Sequence, residues 1–597
     1  MNRKPKDGYL FDYITGQEIK AGKEELEAVQ PFVKMLVEDY KYPKTHIITR
    51  PQYRVKVRPS DNKKSYPVDI AVFNSERKQD NELSIIVECK QPNSVDGRSQ
   101  LENYLTLSSA QLGVWFNGNE RLFIRKFIQA DGQVIFEDIP NIPKYGQNVD
   151  DIGKYKRKDL QATHNLKTVF RAIRNHLAAN TVGTTRDEVL AQQLINLIFC
   201  KIYDERFTMP EDEVRFRAGI NEDATIIFDR VLKLFEDVKR KYKEVVDQND
   251  RISLDANSVK YVVGELQNYC LIDAERDVVS DAFETFIGQT LKGAQGQFFT
   301  PRNVVQMMVK IIDPSDEDTI IDPTCGTGGF LVESLRYVWT KLDKDGERYN
   351  WSANNLQEEK LEFALNKICG IDKDYFLAKV TKAYMAMLGD GKSGIFCEDS
   401  LEEFSNWSAK TKVKIGPNKF SVLLGNPPFG SKIPVRGESK LKQFDLGHSW
   451  KKNKKSGVWE KGKLKSSEAP QILFIERNLQ LLRDYGRMAV VFPDGVFGNE
   501  TFSYVREWLK NKGRILAIID VPIETFQPNT TTKTSILVFQ KLPIAQIPED
   551  YDIFMAIAET CGHDRRGNST DSDDIALIAD KYHQWLKQQD ISYKGKD

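Results

Sequence analysis

The chain has 597 residues, too many for one core; at roughly 100–200 residues per domain it divides into three or four units. Lys plus Arg and Asp plus Glu each number 86, so the formal net charge is zero, which excludes a uniformly basic nucleic-acid coat and leaves DNA contact to local patches. No apolar run is long enough to span a membrane, the opening MNRKPKDGYLFDY lacks the apolar stretch of a secretion signal, and the seven cysteines form no CxxC pair. The expectation is a multi-domain cytoplasmic protein of bacterial type, with neither a disulfide framework nor a structural zinc site.

In chain order, residues 24–37 carry Leu26, Val29, Phe32, Val33, Leu36 and Val37 at helical spacing. Short β-rich runs follow at Tyr53–Val57, Val68–Phe73, Leu83–Glu88, Leu112–Phe116 and Leu122–Phe127, with a helix at Arg98–Ser109 between the third and fourth. The Pro-, Gly- and Asn-bearing stretch Ile139–Gln147 reads as a linker. From Asp159 to Leu291 the pattern is helical, most clearly at Arg186–Asp204 and Ala224–Val245. From Asp318 onward, strands at Thr319–Ile321, Ile368–Ile371, Ser393–Phe396, Phe420–Leu424, Arg487–Phe492, Arg514–Asp520 and Thr534–Gln540 alternate with helices such as Gly329–Trp339 and Gln471–Leu482. That alternation argues a mostly parallel α/β sheet. Residues 546–597 are polar and predict no clear fold.

Two constellations carry chemistry. In the first, Asp69 closes Tyr66-Pro-Val-Asp69, and Glu88-Cys-Lys90 ends the third apolar run nineteen residues later. Strand alternation puts Glu88 and Lys90 on one face and Cys89 in the core. Two carboxylates at strand ends can hold a hard divalent cation, typically Mg²⁺ with several waters retained. A nearby ammonium can orient or deprotonate an attacking water and offset phosphate charge, as phosphodiester hydrolysis requires. Gln100 and Tyr104 share one face of the helix that follows. These residues resemble the PD-(D/E)xK nuclease superfamily, and more closely the N-terminal nuclease domain of type I restriction endonuclease subunits, over about residues 1–130. The resemblance implies Asp69 and Glu88 as metal ligands, with Lys90 and Gln100 completing the catalytic set. Two competing readings are that the carboxylates are plain polar strand ends, or that the fold is right and serves binding alone.

In the second, six segments stand in order: Gly296-Gln-Phe-Phe-Thr-Pro301, Asp322-Pro-Thr-Cys-Gly-Thr-Gly-Gly-Phe330, Gly370-Ile-Asp-Lys-Asp374, Glu398-Asp-Ser400, Asn426-Pro-Pro-Phe-Gly430 and Gly486–Gly495. Gly326, Gly328 and Gly329 let the chain turn tightly after a strand and let a cofactor approach the backbone. Asp372 and Asp399 end the next strands, where one carboxylate suits ribose hydroxyls and the other an adenine amino group. Asn426-Pro-Pro-Phe429 is the most specific segment. The exocyclic amine of adenine is a poor nucleophile; the Asn426 side-chain oxygen and the Pro427 carbonyl can accept both its hydrogens and draw the nitrogen toward a pyramidal geometry. Pro427 and Pro428 stiffen the loop, and Phe429 offers a face to a base extruded from the duplex.

Together these segments resemble the N6-adenine DNA methylase family, specifically the modification subunit of type I restriction–modification systems, over about residues 160–545. The order of the motifs matches the gamma arrangement of amino methyltransferases, and Asn at 426 in place of Ser favours adenine over the N4 of cytosine. The resemblance implies S-adenosylmethionine as cofactor. Its site would include Gly296, Gln297, Phe298, Thr300, Pro301, Asp322, Thr324, Gly326, Gly328, Gly329, Asp372, Asp399 and Ser400, with Gly296–Thr300 and Asp322 on the methionine part. The implied organisation is a nuclease-like α/β domain at 1–150, a helical domain at 155–290, a Rossmann-like methyltransferase at 291–545 and a tail at 546–597.

Residues 431–467 hold eleven Lys or Arg and three acidic residues, with Phe444, Trp450 and Trp459 interleaved, and read either as a mobile loop for DNA phosphates or as a solvated loop. Gly389–Ser393 only imitates a phosphate-binding loop, since Ala386 stands where glycine is required. No helicase motor and no target-recognition domain are visible. The expected partners are therefore double-stranded DNA, a separate specificity subunit and further modification-type subunits, with no membrane. Two alternatives stay open: a self-contained enzyme that cleaves and methylates, or a non-catalytic DNA-binding assembly subunit.

Overall fold

Alternation along the apolar strands decides the layers of the N-terminal half. In Leu83–Cys89, the residues Ile85, Val87 and Cys89 enter one buried cluster and Leu83 and Ile86 another, so both faces of the strand are covered. The structure, a computed structural model, describes residues 5–6, 8–56, 65–92, 94, 97–129, 131–163, 165–180, 187–243, 246–272, 300–388, 394–430, 433–527, 532–565 and 569–589. Met1–Thr290 form one compact unit and Leu291–Asp597 another.

In the first unit a six-stranded sheet runs Val134–Asp138, Arg121–Ile128, Leu112–Phe116, Leu83–Cys89, Ile70–Phe73, Ile47–Ile48. Only Leu83–Cys89 and Leu112–Phe116 are parallel. A parallel pair needs a crossover, and helix Arg98–Thr106 supplies it. That helix packs Leu101 and Leu105 on one face of the sheet; Phe32, Val33 and Leu36 of helix Gln30–Glu38 cover the other. Four further helices follow: Leu166–Asn180, Asp187–Phe207, Ala224–Lys241 and Ala256–Leu266. Buried and half-buried polar groups tie this helical part to the sheet part. Arg121 of the sheet pairs with Glu265, Asn141 donates to the Gly264 carbonyl (3.0 Å), and Asp39 accepts from Thr163 (2.9 Å) and Asn165 (3.0 Å).

The second unit is built on an eight-stranded sheet. Its order is Ile395–Cys397, Ile368–Asp372, Ile320–Asp322, Phe420–Gly425, Leu482–Pro493, Thr534–Lys541, Gly513–Asp520, Phe554–Ile557. All neighbours are parallel except Thr534–Lys541, which is antiparallel to both of its partners. Central strands Ile320–Asp322 and Phe420–Gly425 are buried along their whole length, Ile321 and Leu423 entering the main core cluster. The long gap between Asp322 and Asp372 is filled by an extension of helix Gly329–Tyr349 and by the added helix Ala353–Asn366, so Asp372 still ends the strand beside Ile320–Asp322.

Two expectations change. Residues 546–597 are not a foldless tail. Strand Phe554–Ile557 extends the sheet, and helix Ile575–Gln588, with Ile578, Tyr582 and Leu586 buried, packs against helix Arg302–Ile312. Polar neighbours diluted that helical spacing in the sequence. The basic segment is ordered as well. His448–Lys452 and Trp459–Leu464 pair as an antiparallel hairpin, Trp450 and Trp459 pack on Tyr504, and Phe444 is fully buried, so these aromatics anchor the segment to the body of the unit. Residues 389–393 lie outside the described residues. Among the described residues, no helix is long and apolar enough to cross a membrane.

Candidate active sites

At the end of Leu83–Cys89 the chain brings Asp69, Glu88 and Lys90 together. Asp69 accepts from Gln52 Nε2 (3.0 Å) and from the Cys89 N–H (2.8 Å), which fixes its carboxylate against the strand end. Glu88 is buried and ion-paired with Lys90. Burial, and then the Asp69 charge, push the Glu88 carboxyl up to about 7 despite that lysine. Burial also raises Asp69. Burial works downward on Lys90, but Glu88 and Asp69 together raise it. Gln100 donates to the Tyr104 hydroxyl one turn on (2.5 Å), and both line an open cleft of about 860 Å³ together with Lys90, Tyr66 and Asn103. Cys89 faces the core. Sequence reasoning missed Glu24, whose carboxyl is raised by burial and then by the Asp69 charge. An acidic residue at the start of a helix ordinarily reads as a complement to the helix dipole, so only the fold reveals it. Among the described residues, no three His, Cys, Asp or Glu side chains are grouped closely enough to hold a metal ion. Asp69 and Glu88 are a two-carboxylate set, whose hard oxygens and mutual repulsion fit a Mg²⁺ that keeps most of its waters.

The second cluster sits at the carboxyl ends of the central strands of the other sheet. Asp322 is fully buried; its Oδ1 accepts from the Thr324 N–H (2.9 Å) and hydroxyl (3.4 Å). Burial, with a further push from Asp372, drives it up to about 8. Asp372 accepts from the Gly326 N–H (2.9 Å) and the Asp374 N–H (2.8 Å), and burial raises it too. The glycines answer to geometry: φ is +53° at Gly326 and +87° at Gly328, and a Cβ at 328 would stand 2.7 Å from Thr381 Cγ2. Thr381, another residue the motifs did not flag, donates to the Gly326 carbonyl (2.7 Å). Gly329 begins the helix. Ser400 donates to the Pro323 carbonyl (2.5 Å), tying the next turn to this one. Asp399 accepts from the Leu401 N–H (2.9 Å) and from Lys440 Nζ (2.5 Å). Burial works upward on Asp399, but Lys440 brings it below the usual carboxylate range. Lys440 was legible only as one charge among many.

The Asn426–Gly430 loop leaves the strand next to Ile320–Asp322, and a Cβ on Gly425 would lie 3.2 Å from Asp322 Oδ1, so loop and glycine turn touch. Asn426 Nδ2 donates to Thr300 Oγ1 (3.1 Å), while Asn426 Oδ1 is buried with no hydrogen-bond partner among the described residues. Pro427 and Phe429 are buried and Pro428 half-buried; the Gly430 N–H donates to Gln471 Oε1 (3.2 Å). Pro301 immediately precedes helix Arg302–Ile312 and caps it in extended geometry. Gly296, Gln297 and Phe298 lie outside the described residues. The orphaned Oδ1 and the buried Asp322, which no cation among the described residues lowers, form an acceptor set that fits a cationic, amine-bearing pair of ligands.

The model of the N-6 DNA Methylase family matches residues 274–596, more than half of the chain. The chain belongs to that family. This methylase also matches, over residues 24–143, the family described as the type I restriction enzyme R protein N terminus. Its curated relatives include the type I restriction enzyme EcoEI methylase subunit of Escherichia coli, 24% identical over 409 residues, or 63% of this chain and 75% of that protein. The EcoKI methylase subunit of Escherichia coli strain K12 is 24% identical over 380 residues, 60% of this chain and 64% of that one. The chain therefore spans three quarters of the first and just under two thirds of the second. Among solved structures, the type I restriction-modification system methyltransferase subunit from Streptococcus thermophilus aligns with a TM-score of 0.48 at 17% identity, over 73% of this chain and 95% of that one.

Proposed function

We propose that the chain transfers a methyl group to the N6 of adenine in double-stranded DNA, as the modification subunit of a restriction–modification system, with residues 291–545 as the methyltransferase domain. The observation that carries this reading is the buried, unpartnered Asn426 Oδ1 at the mouth of the strand beside the glycine turn. An acceptor left without a partner in a buried position costs about 1–3 kcal/mol unless a ligand satisfies it, and an exocyclic amine does so. Asn426 Oδ1 and the Pro427 carbonyl accept the two amine hydrogens, and the two prolines hold that geometry. Asp322, Asp372 and Asp399, with Ser400, Thr324 and the glycine turn, surround the cofactor; Thr300 and Pro301 are assigned to its methionine end, as the family resemblance assigns Gly296, Gln297 and Phe298 of the same motif. S-adenosylmethionine, when bound, supplies the electrophilic methyl group. The test is sequencing of host DNA for N6-methyladenine with wild type and with Asn426→Ala: the mark is expected to disappear, and unchanged methylation would remove the loop from the reaction. A specificity subunit and further modification-type subunits are the partners of this reading, and tritiated-methyl transfer with and without them measures self-sufficiency.

A second activity is favoured by the Asp69–Glu88–Lys90 cluster beside an open cleft. Residues 1–150 are proposed as a PD-(D/E)xK-type nuclease domain in which Asp69 and Glu88 hold Mg²⁺, Lys90 orients the attacking water and Gln100 steadies the cleft wall. A Mg²⁺ ion, when bound, supplies Lewis-acid stabilisation of the phosphate oxygens. Mg²⁺-dependent cleavage by wild type that is lost in Asp69→Ala and Lys90→Ala supports this; cleavage that survives both refutes it.

A further inference from the structure

The basic segment sorts its own charges. Lys440, Lys442 and Lys465, outside the hairpin, and Lys461, on its second strand, are paired with Asp399 and Glu402, Glu403, Glu468 and Asp445 respectively. Lys451, Lys452, Lys454, Lys455 and Lys463, on the hairpin strands and around its tip, are exposed and have no carboxylate partner among the described residues. The single acidic residue of segment 448–464, Glu460, lies opposite Lys451 in the register and accepts from Asn453 Nδ2, so six lysines leave the hairpin strongly positive in a chain of zero net charge.

The hairpin is also held. Trp450 stacks on Tyr504 (6.4 Å, 15°), Trp459 lies 6.1 Å from the same ring, and Trp450 Nε1 donates to the Asp445 carbonyl (3.2 Å). Asp445 in turn accepts from Trp508 and pairs with Lys461. The stem of the segment closes where Val435–Arg436 pairs with Ser467–Glu468, directly before helix Pro470–Leu481. Gln471 of that helix holds the end of the Asn426 loop through the Gly430 N–H. A stiff arm of unpaired ammonium groups is thus rooted at the foot of the loop that would receive the target base.

We propose that the His448–Leu464 hairpin is a phosphate clamp that grips the backbone of the DNA duplex beside the extruded adenine. The proposal rests on the adenine-methylase reading and adds the surface that holds the substrate. Ammonium groups on a rigid hairpin contact phosphates without reading bases, so the clamp contributes affinity and registration but no sequence preference.

The test compares full-length wild type with Lys451→Gln/Lys452→Gln/Lys454→Gln/Lys455→Gln, in the assembly that methylates DNA, by titration with duplex at a series of salt concentrations. Each phosphate contact contributes about 0.9 to the slope of log affinity against log salt, so the slope is expected to flatten by about 2 to 4. Site preference and S-adenosylhomocysteine binding should be unchanged. The aromatic anchors are untouched, and an unchanged melting temperature checks the fold; a charge-reversed pair, Lys454→Glu/Lys455→Glu, changes the charge by the same amount and should weaken DNA binding to a comparable degree. A slope and affinity equal to wild type overturn the clamp. So does a variant that keeps its salt slope but loses a subunit in sedimentation, which would make the hairpin a protein-docking face. A wild type that transfers no methyl group to adenine fails at the underlying reading instead, and that outcome is visible before any variant is made.

Discussion

The two carboxylate clusters are built alike and neutralised differently. Each stands at the end of a buried strand, and in each burial together with a second carboxylate raises an acidic group: Glu88 to about 7, Asp322 to about 8. The N-terminal cluster carries its own cation, Lys90, in contact with Glu88. At the glycine turn Lys373 acts on Asp372 and Lys440 pairs with Asp399, but among the described residues only a backbone N–H and a hydroxyl, and no cation, offset the charge of Asp322. The difference teaches what each site awaits. On the proposed reading, a built-in lysine suits an anion bridged by a metal, whereas a buried carboxylate with no cation acting on it, as at Asp322, suits a cationic ligand.

If that contrast holds, the two sites fail independently. Asn426→Ala should reduce methylation by about 10²–10³-fold and leave Mg²⁺-dependent cleavage untouched; parallel assays of both activities would break the comparison if one substitution abolished both. Of comparable size is a stability effect confined to the first unit. Glu265→Ala strands the Arg121 guanidinium, fully buried, and should cost about 3–5 kcal/mol in denaturant melts.

A proton separates the sites more finely. With its carboxyl at about 8, Asp322 is mostly protonated at pH 7 in the free chain. A cationic methyl donor favours the ionised form, so donor binding at pH 7 should release a proton and tighten as pH rises toward 8. Calorimetry in buffers of different ionisation enthalpy reads this directly, and Asp322→Asn should remove it. For folding the sign is opposite. The raised carboxyl keeps a proton that the unfolded chain gives up, so this group's stabilising contribution is complete at acid pH. It is lost as pH climbs from the ordinary aspartate range through about 8. The smallest expected effect lies at Thr300, which accepts the Asn426 amide N–H. Thr300→Val should lower the methylation rate about tenfold, the worth of one hydrogen bond, while Thr300→Ser stays near wild type.

Much of this was legible. The third and fourth strands of the first sheet, and the alternation after Asp318, follow from apolar runs that admit one reading. The motif residues Asp322, Gly326, Gly328, Asp372 and Asn426 advertise themselves because backbone geometry and amine recognition allow few residue types. What was hidden depends on distance in sequence. Glu24 reaches Asp69 across 45 positions and Lys440 reaches Asp399 across 41, and nothing local marks either; Thr300 stands in a motif, but its bond to Asn426, 126 positions on, does not show there. The order in the basic segment was missed for another reason. Lysine-rich composition signals solvation, and two tryptophans seated on a tyrosine outweigh it only once the fold brings Tyr504 alongside.

The seating of helix Ile575–Gln588 on helix Arg302–Ile312 bears on how the protein can be handled. Asn303 donates to the Cys561 carbonyl (3.0 Å) and to Asp573 (3.0 Å), and Lys310 meets Asp580 (2.7 Å) while its carbonyl accepts from His583 (2.7 Å). Trimming the gene after residue 545 to isolate a minimal enzyme would strip the apolar side of the very helix that starts two residues beyond Thr300. Such a shortened protein should lose catalysis and solubility together, so a purification handle belongs on an extension past the last helix, never in its place.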